Sequence, residues 1–150
     1  MKPTILSPNG LDCIVQSEGL RLTAYQDTAG ITTIGAGTTR YPDGNRVQPG
    51  DQCTKAQAMY YLAHDVLGAS KAVDDLTTDN ITQGNFDALV SFVYNVGQGA
   101  YRDSTLRKLV NANPNDPEIR NEFLKWNKSG GKVTPGLTAR RQREADLYFS

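Results

Sequence analysis

The chain has 150 residues, 38% of them apolar and 21% charged, which is an ordinary composition for a globular protein of one domain, with or without two lobes. Its 16 basic and 16 acidic residues cancel, which argues against a dedicated nucleic-acid-binding protein. No segment approaches the roughly 18 apolar residues of a membrane span, and MKPTILSPNG lacks the pattern of a signal peptide. We therefore expect a soluble protein without stable membrane insertion.

The first predicted element is a helix over residues 8–18. Ser7 followed by Pro8 is typical of a helix start, with a capping hydroxyl and a proline in the first turn. Gly19 is a typical C-terminal stop. The apolar stripe between these ends consists of Leu11, Ile14 and Val15.

Residues 22–47 contain short β-prone segments separated by glycines. Turns are indicated at Ala29-Gly30 and at Pro42-Asp43-Gly44. The pattern predicts a small antiparallel sheet of two or three strands, the third lying near Arg46.

The rest of the chain is predicted to be helical. Thr54 and Gln57 form a capping box before an apolar stripe, and Thr82 caps a helix that is apolar around much of its girth and is expected to form the core. The stripe consists of Ala58, Met59, Leu62, Ala63, Val66 and Leu67. Shorter helices fit residues 104–112, 117–127 and 138–149.

These elements predict an α+β fold that is mainly helical with a small N-terminal antiparallel sheet. We expect one domain over residues 1–150, with a sheet-bearing part over about 10–55 and a helical lobe over about 56–150. A cleft between two such lobes is a natural ligand site.

The two cysteines, Cys13 and Cys53, are interpreted as buried free thiols, since one disulfide would require oxidising surroundings. Neither belongs to a Cys/His cluster, and the single histidine, His64, has no second nitrogen ligand. No metal or organic cofactor is therefore expected.

Glu18 is the first candidate for chemistry, because it continues the apolar stripe of the first helix and is expected to point inward. Burial disfavours the charged form of a carboxyl group, and a carboxylic acid that stays protonated is what general acid catalysis requires. The alternative is a structural glutamate paired with Arg140, Arg141 or Arg143.

The second candidate is the hairpin over residues 25–34. If Thr28, Ala29 and Gly30 form the turn, Asp27 opposes Ile31 and becomes a near neighbour of Thr33. A carboxylate beside a hydroxyl can hold a water molecule, although an ordinary turn aspartate gives the same pattern. One carboxyl in an apolar setting and another in a wet one is the contrast used in glycoside hydrolysis.

The run EGLRLTAYQDTAGITTIGAGT, over residues 18–38, resembles the phage-type lysozyme family of T4-like endolysins, which are muramidases of glycoside hydrolase family 24. Further likeness lies in FVYNVG over residues 92–97, in Trp126 and in Arg140-Arg141 through Glu144. Thr38 departs from the family, since many members carry a histidine at that place, and any ion pair of that histidine is absent here.

The resemblance implies that Glu18 is the general acid, Asp27 the second carboxylate and Thr33 a residue that positions the attacking water. The substrate would be the peptidoglycan glycan strand, cut between N-acetylmuramic acid and N-acetylglucosamine by a monomer without nucleic acid. The protein would be made in the host cytoplasm, released by a separate pore protein and active on the wall outside. Rival interpretations are a lytic transglycosylase and a non-catalytic cell-wall-binding module.

The charges are unevenly distributed along the chain. Residues 120–143 contain seven basic residues and one acidic residue, whereas residues 65–87 contain five aspartates and one lysine. The basic C-terminal region could steer the protein toward an anionic wall. The alternative is a pair of solvated faces of opposite charge.

Overall fold

A computed structural model describes residues 2–150, which form eight helices and four short strands. In chain order they are α1 (Pro8–Glu18), β1 (Arg21–Gln26), β2 (Thr32–Gly35), α2 (Lys55–Asp65), α3 (Leu67–Leu76), α4 (Gln83–Val96), α5 (Gln98–Arg102), α6 (Thr105–Ala112), α7 (Glu118–Leu124), β3 (Lys128–Ser129), β4 (Lys132–Val133) and α8 (Pro135–Tyr148). The chain divides into two compact units, one of Ile14–Leu67 and one of Gly68–Ser150 with the residues before Ile14.

The Ile14–Leu67 unit contains the antiparallel pair β1–β2 and the helix α2. The predicted capping box of α2 is confirmed, because the Thr54 and Gln57 side chains each bind the other residue's backbone N–H. β2 packs closely on α2, since a Cβ added at Gly35 would lie 3.2 Å from the Cβ of Ala58. The boundary predicted from the sequence lies near residue 55, whereas in the structure α2 belongs to the same unit as the β1–β2 sheet.

The segment that accompanies β1 on its other side differs from the prediction. Backbone hydrogen bonds join Ala24 N to Asp51 O at 2.8 Å and Cys53 N to Leu22 O at 2.9 Å. The residues near Arg46 instead form a separate bridge with Arg40 across the Pro42-Asp43-Gly44 turn. The turn was predicted correctly, but its flanks pair with each other and leave the β1–β2 sheet with two strands.

The second unit has α4 as its core helix, as predicted. Its residues 85–93 are all buried, and its N-cap is Thr82. Phe92 contacts Tyr101, Phe123 and Trp126 edge to face, with ring centroids 5.4–6.4 Å apart. Edge-to-face contacts of this kind suit the quadrupoles of aromatic rings.

The helix α8 packs against α4 and carries a buried charge cluster. Glu144 is fully buried and accepts hydrogen bonds from Arg141 Nη1 and, at 2.6 Å, from Ser91 Oγ on α4. Arg141 is also fully buried, donates to Asn95 Oδ1 and to the Trp126 carbonyl, and lies over the Phe92 ring. One arginine thus ties α8 to the end of α4 and to the segment after α7.

Three elements were not predicted from the sequence: α3, α5 and the β3–β4 hairpin. The predicted apolar stripe is only partly buried: Ala58, Leu62 and Val66 are buried, whereas Ala63 and Leu67 are exposed. The helix itself ends at Asp65, with Val66 as its C-cap, and α3 begins at Leu67. The two-residue strands β3 and β4 are exposed and therefore show no apolar alternation. The other predicted helices correspond to α6, α7 and α8, and α8 begins earlier, at Pro135, because Thr134 caps it.

Cys13 and Cys53 form no disulfide, as predicted, but only one of them has the predicted burial. Cys13 is buried, whereas Cys53 is half-buried. Burial raises the pKa of each thiol. Among the described residues 2–150, no helix combines the length and the apolar character that crossing a bilayer would require.

Candidate active site

Glu18 is the last residue of α1. Gly19 ends the helix with a positive φ of 79° and donates its N–H to the Val15 carbonyl at 2.8 Å. The periodicity of α1 predicted that the Glu18 side chain points inward. In the structure Glu18 is half-buried. Ile14, one turn earlier, is completely buried.

Asp27 lies at the mouth of the hairpin turn, and its carboxylate organises that turn. Its Oδ1 atom accepts hydrogen bonds from the N–H groups of Ala29, at 2.8 Å, and of Ile31, at 2.9 Å. Its backbone N–H donates to the Ile31 carbonyl at 3.0 Å, so Asp27 opposes Ile31 as predicted. Oδ2 makes no hydrogen bond within residues 2–150, and it is the oxygen able to bind a water molecule.

Thr33 stands diagonally across the hairpin from Asp27. It pairs with Tyr25, two residues before Asp27, and only 3% of its surface is exposed. Its hydroxyl donates to the Ile31 carbonyl at 2.9 Å, and its lone pairs stay available to accept a hydrogen bond. The hairpin therefore brings Asp27 and Thr33 together in the predicted register.

Thr38, which stands where many members of the resembled family carry a histidine, forms a hydroxyl–carboxylate pair. The buried Thr38 hydroxyl donates to Asp65 Oδ2 at 2.6 Å. Burial raises the pKa of Asp65, and the hydrogen bond from Thr38 and the nearby His64 partly offset this. A neutral donor therefore holds this carboxylate.

A cavity of about 430 Å³ lies beside the turn of the β1–β2 hairpin, which carries Asp27 and Thr33. Its lining includes Gly30, Ile31 and Thr32 of the hairpin together with Arg40 and Arg46. These two arginines were not predicted from the sequence. Their equal spacing from Asp43, at the centre of the predicted turn, was the signal that could have paired them.

The site offers carboxylates, a hydroxyl and guanidinium groups, which suit proton transfer and the binding of polar or anionic substrates. Among residues 2–150, no three His, Cys, Asp or Glu side chains are grouped closely enough to hold a metal ion.

The family model described as phage lysozyme matches residues 15–144. This chain belongs to the phage lysozyme family. The endolysin of Bacillus phage B103 is 44% identical over 147 residues, which are 97% of this chain but 54% of that protein. The chain thus spans about half the length of that relative.

Solved structures agree with the family assignment. An endolysin from the Escherichia coli O157:H7 phage FAHEc1 is 44% identical, with a TM-score of 0.88 over 97% of this chain and 93% of the other. The muramidase domain of SpmX from Asticaccaulis excentricus is 31% identical, with a TM-score of 0.82 over 97% of both chains. The expectation of a phage-type lysozyme with an α+β, lysozyme-like fold is confirmed.

Proposed function

We propose that this member of the phage lysozyme family hydrolyses the β-1,4 bond between N-acetylmuramic acid and N-acetylglucosamine in peptidoglycan. It would be a T4-like muramidase of glycoside hydrolase family 24, with residues 1–150 forming one lysozyme domain. It would lyse bacteria as an endolysin. The observation that carries the proposal is the hairpin, which holds Asp27 with one free carboxylate oxygen beside Thr33.

In the proposed mechanism Glu18 is the general acid that protonates the leaving glycosidic oxygen. It is half-buried at the end of α1, whereas Asp27 lies in a hydrogen-bonded turn. Unequal surroundings of this kind separate an acid from a base or nucleophile in glycosidases.

Asp27 would activate the water that attacks the opposite face of the sugar and stabilise positive charge on the ring. Two backbone N–H groups of the turn bind Asp27 Oδ1 and restrict the side chain to one rotamer, so that the position of Oδ2 is fixed before the substrate binds. Thr33 would accept a hydrogen bond from the same water, because its own proton is committed to the Ile31 carbonyl.

The experiment is lysis of outer-membrane-permeabilised Gram-negative cells by the wild type beside Glu18→Gln, followed as turbidity. General acids contribute on the order of 10²–10⁴ in rate, so Glu18→Gln should clear the cells at least about a hundredfold more slowly. Circular dichroism confirms that both proteins are folded. A fully active Glu18→Gln protein would remove Glu18 from the mechanism.

Asp27→Asn separates a catalytic role from a turn-forming one. The asparagine oxygen still accepts the two backbone hydrogen bonds of Asp27 Oδ1, so the hairpin should persist while the charge is lost. We expect a rate loss of about a hundredfold or more with the melting temperature little changed. A small loss would reduce Asp27 to an electrostatic helper.

Product analysis distinguishes hydrolysis from the rival chemistry. Mass spectrometry of the released muropeptides should show reducing N-acetylmuramic acid ends, each one water heavier than a 1,6-anhydro end. Anhydro products would identify a lytic transglycosylase. Peptidoglycan binding without any product would identify a cell-wall-binding module.

We also propose that the protein works as a monomer on the glycan strand, without nucleic acid. It would be made in the host cytoplasm, released by a separate pore protein and active at the wall. Light scattering coupled to gel filtration should give the 16.4 kDa mass of one chain. A dimer mass would contradict the monomer.

A further inference from the structure

Arg40 and Arg46 form a close pair of like charges. They oppose each other in an antiparallel bridge, and the flanking hydrogen bonds run from Tyr41 N to Asn45 O and from Val47 N to Thr39 O. This pattern makes them a non-hydrogen-bonded pair, the kind whose side chains lie closer together on one face of the ribbon. Both side chains are exposed.

No carboxylate of residues 2–150 forms an ion pair with either guanidinium. Arg40 Nη1 donates to the Gly44 carbonyl at 3.1 Å, which steadies the side chain and leaves its other N–H donors available. Like charges directly opposite each other destabilise a β-pair. A contribution to the stability of the fold therefore does not explain this arrangement of two like charges.

Both arginines line the 430 Å³ cavity, and so do Gly30 and Ile31 of the turn that Asp27 organises. The lining includes the half-exposed apolar side chain of Ile31 and the polar Thr32. A concave site with an apolar wall and convergent polar donors is typical of a ligand subsite. Glu18, Asp27 and Thr33 do not line the cavity themselves, but a ligand in it would contact the turn that follows Asp27.

We propose that this cavity is a binding subsite for the carboxylates of the peptide stems that peptidoglycan carries. The inference rests on the proposed function. Each guanidinium group is a planar fork that can bind a carboxylate through two parallel hydrogen bonds, which suits both arginines to this group. A stem carboxylate would also supply the negative charge that the two guanidinium groups lack.

The test compares two substrates: peptidoglycan with its stems, and the same glycan strands after an amidase has removed them. The readout is the ratio of kcat/KM on stem-bearing strands to kcat/KM on stem-free strands. For Arg40→Gln combined with Arg46→Gln, we expect the ratio to fall about tenfold through KM, which corresponds to about 1.4 kcal/mol of binding. Arg40→Lys with Arg46→Lys keeps the charge without the fork and should recover only part of that ratio.

The matched control is Arg102→Gln with Lys108→Gln, two exposed cations of the other unit whose removal changes the net charge equally. Its ratio should equal that of the wild type. An unchanged ratio in the Arg40/Arg46 variant, or equal losses on both substrates, would overturn the subsite. A wild type that cleaves neither substrate would instead overturn the proposed function and the subsite with it.

Melting temperatures provide the second readout. Because the two charges repel each other, their replacement by glutamine should leave the melting temperature unchanged or higher. A fall of several degrees would mean that the arginines serve the fold, and it would overturn the assignment.

Discussion

Asp65 shows how a single residue can couple the stability of the fold to pH. Its carboxylate is half-buried and held by the Thr38 hydroxyl at 2.6 Å. Burial is the largest influence on this group, and it raises the pKa above the ordinary aspartate value. The folded protein therefore binds a proton at Asp65 more tightly than the unfolded chain does.

A group whose pKa is raised by folding contributes stability at low pH that is lost as the pH rises through its folded-state pKa. Asp65→Asn removes this loss, and its side-chain oxygen can still accept the Thr38 hydrogen bond. We expect the free energy of unfolding of the variant, relative to the wild type, to increase with pH across the acid range and then level off. Urea unfolding at several pH values measures it, and a difference that does not change with pH would contradict the assignment.

At the scale of elements, the buried pair Arg141–Glu144 joins α8 to its neighbours. Burial lowers the pKa of the Arg141 guanidinium, and Glu144 offsets part of that effect. Removing one member of a buried ion pair leaves the other charge without compensation in a medium of low polarity. The buried pair should therefore contribute far more than the exposed charges of α8 to the free energy of unfolding.

Glu144→Gln should lower the free energy of unfolding by about 3–5 kcal/mol, since Glu144 is a buried ion-pair partner of both Arg141 and Arg140. Asp146→Asn on the same helix is the matched control. Asp146 pairs with Arg120 at 2.8 Å in an exposed position, where such pairs contribute less than about 1 kcal/mol. Urea titrations of both variants give the comparison, and equal losses would show that burial does not decide the strength of these pairs.

The sequence predicted elements where the signals are local. Ser7 caps α1 through its hydroxyl, at 3.4 Å from Gly10 N, and the caps of α2 and α4 were visible as residue types. The β3–β4 hairpin was missed, although its loop is Gly130-Gly131 with φ values of 58° and 80°. Two consecutive glycines are a typical signal for such a turn, but strands of two residues carry no periodicity to support it.

The candidate site, like the fold, was predicted only where the sequence signal is local. The Asp27–Ile31 register followed from the two-residue alternation of a strand, which a tight turn does not disturb. The partial exposure of Glu18 was not predicted from the sequence. Helical periodicity indicates which face of a helix a residue lies on, but not how deeply a residue at the helix end is buried. The Arg40–Arg46 pair depends on pairing across a turn, which periodicity alone does not reveal.

At the scale of the whole molecule, the C-terminal region carries fewer uncompensated positive charges than its sequence suggests. Arg120 is paired with Asp146, Lys125 with Glu122, and Arg141 with Glu144. Of the seven basic residues between 120 and 143, the exposed Lys128 and Lys132 of the β3–β4 hairpin form no ion pair within the described chain. Any long-range attraction that this C-terminal region exerts on an anionic wall should therefore depend chiefly on the β3–β4 hairpin.

We expect Lys128→Gln with Lys132→Gln to weaken sedimentation with purified peptidoglycan at low ionic strength. The difference from the wild type should disappear toward 1 M salt, where the screening length is about 3 Å. Lys71→Gln with Arg102→Gln, which removes two exposed cations that are already ion-paired, serves as the control. A difference that persists in high salt would mean direct contact rather than steering.

The unequal exposure of the two thiols gives the protein a pair of built-in reporters. Cys53 belongs to the Ile14–Leu67 unit and is half-buried, whereas Cys13 belongs to the other unit and is buried. With a thiol-specific reagent we expect one fast and one slow reaction per chain, the slow one limited by how often the unit around Cys13 opens. Two equally fast reactions would contradict the burial of Cys13. If one reaction is fast and the other slow, the ratio of the two rates reports the local unfolding of the unit that contains Cys13, without any engineered label.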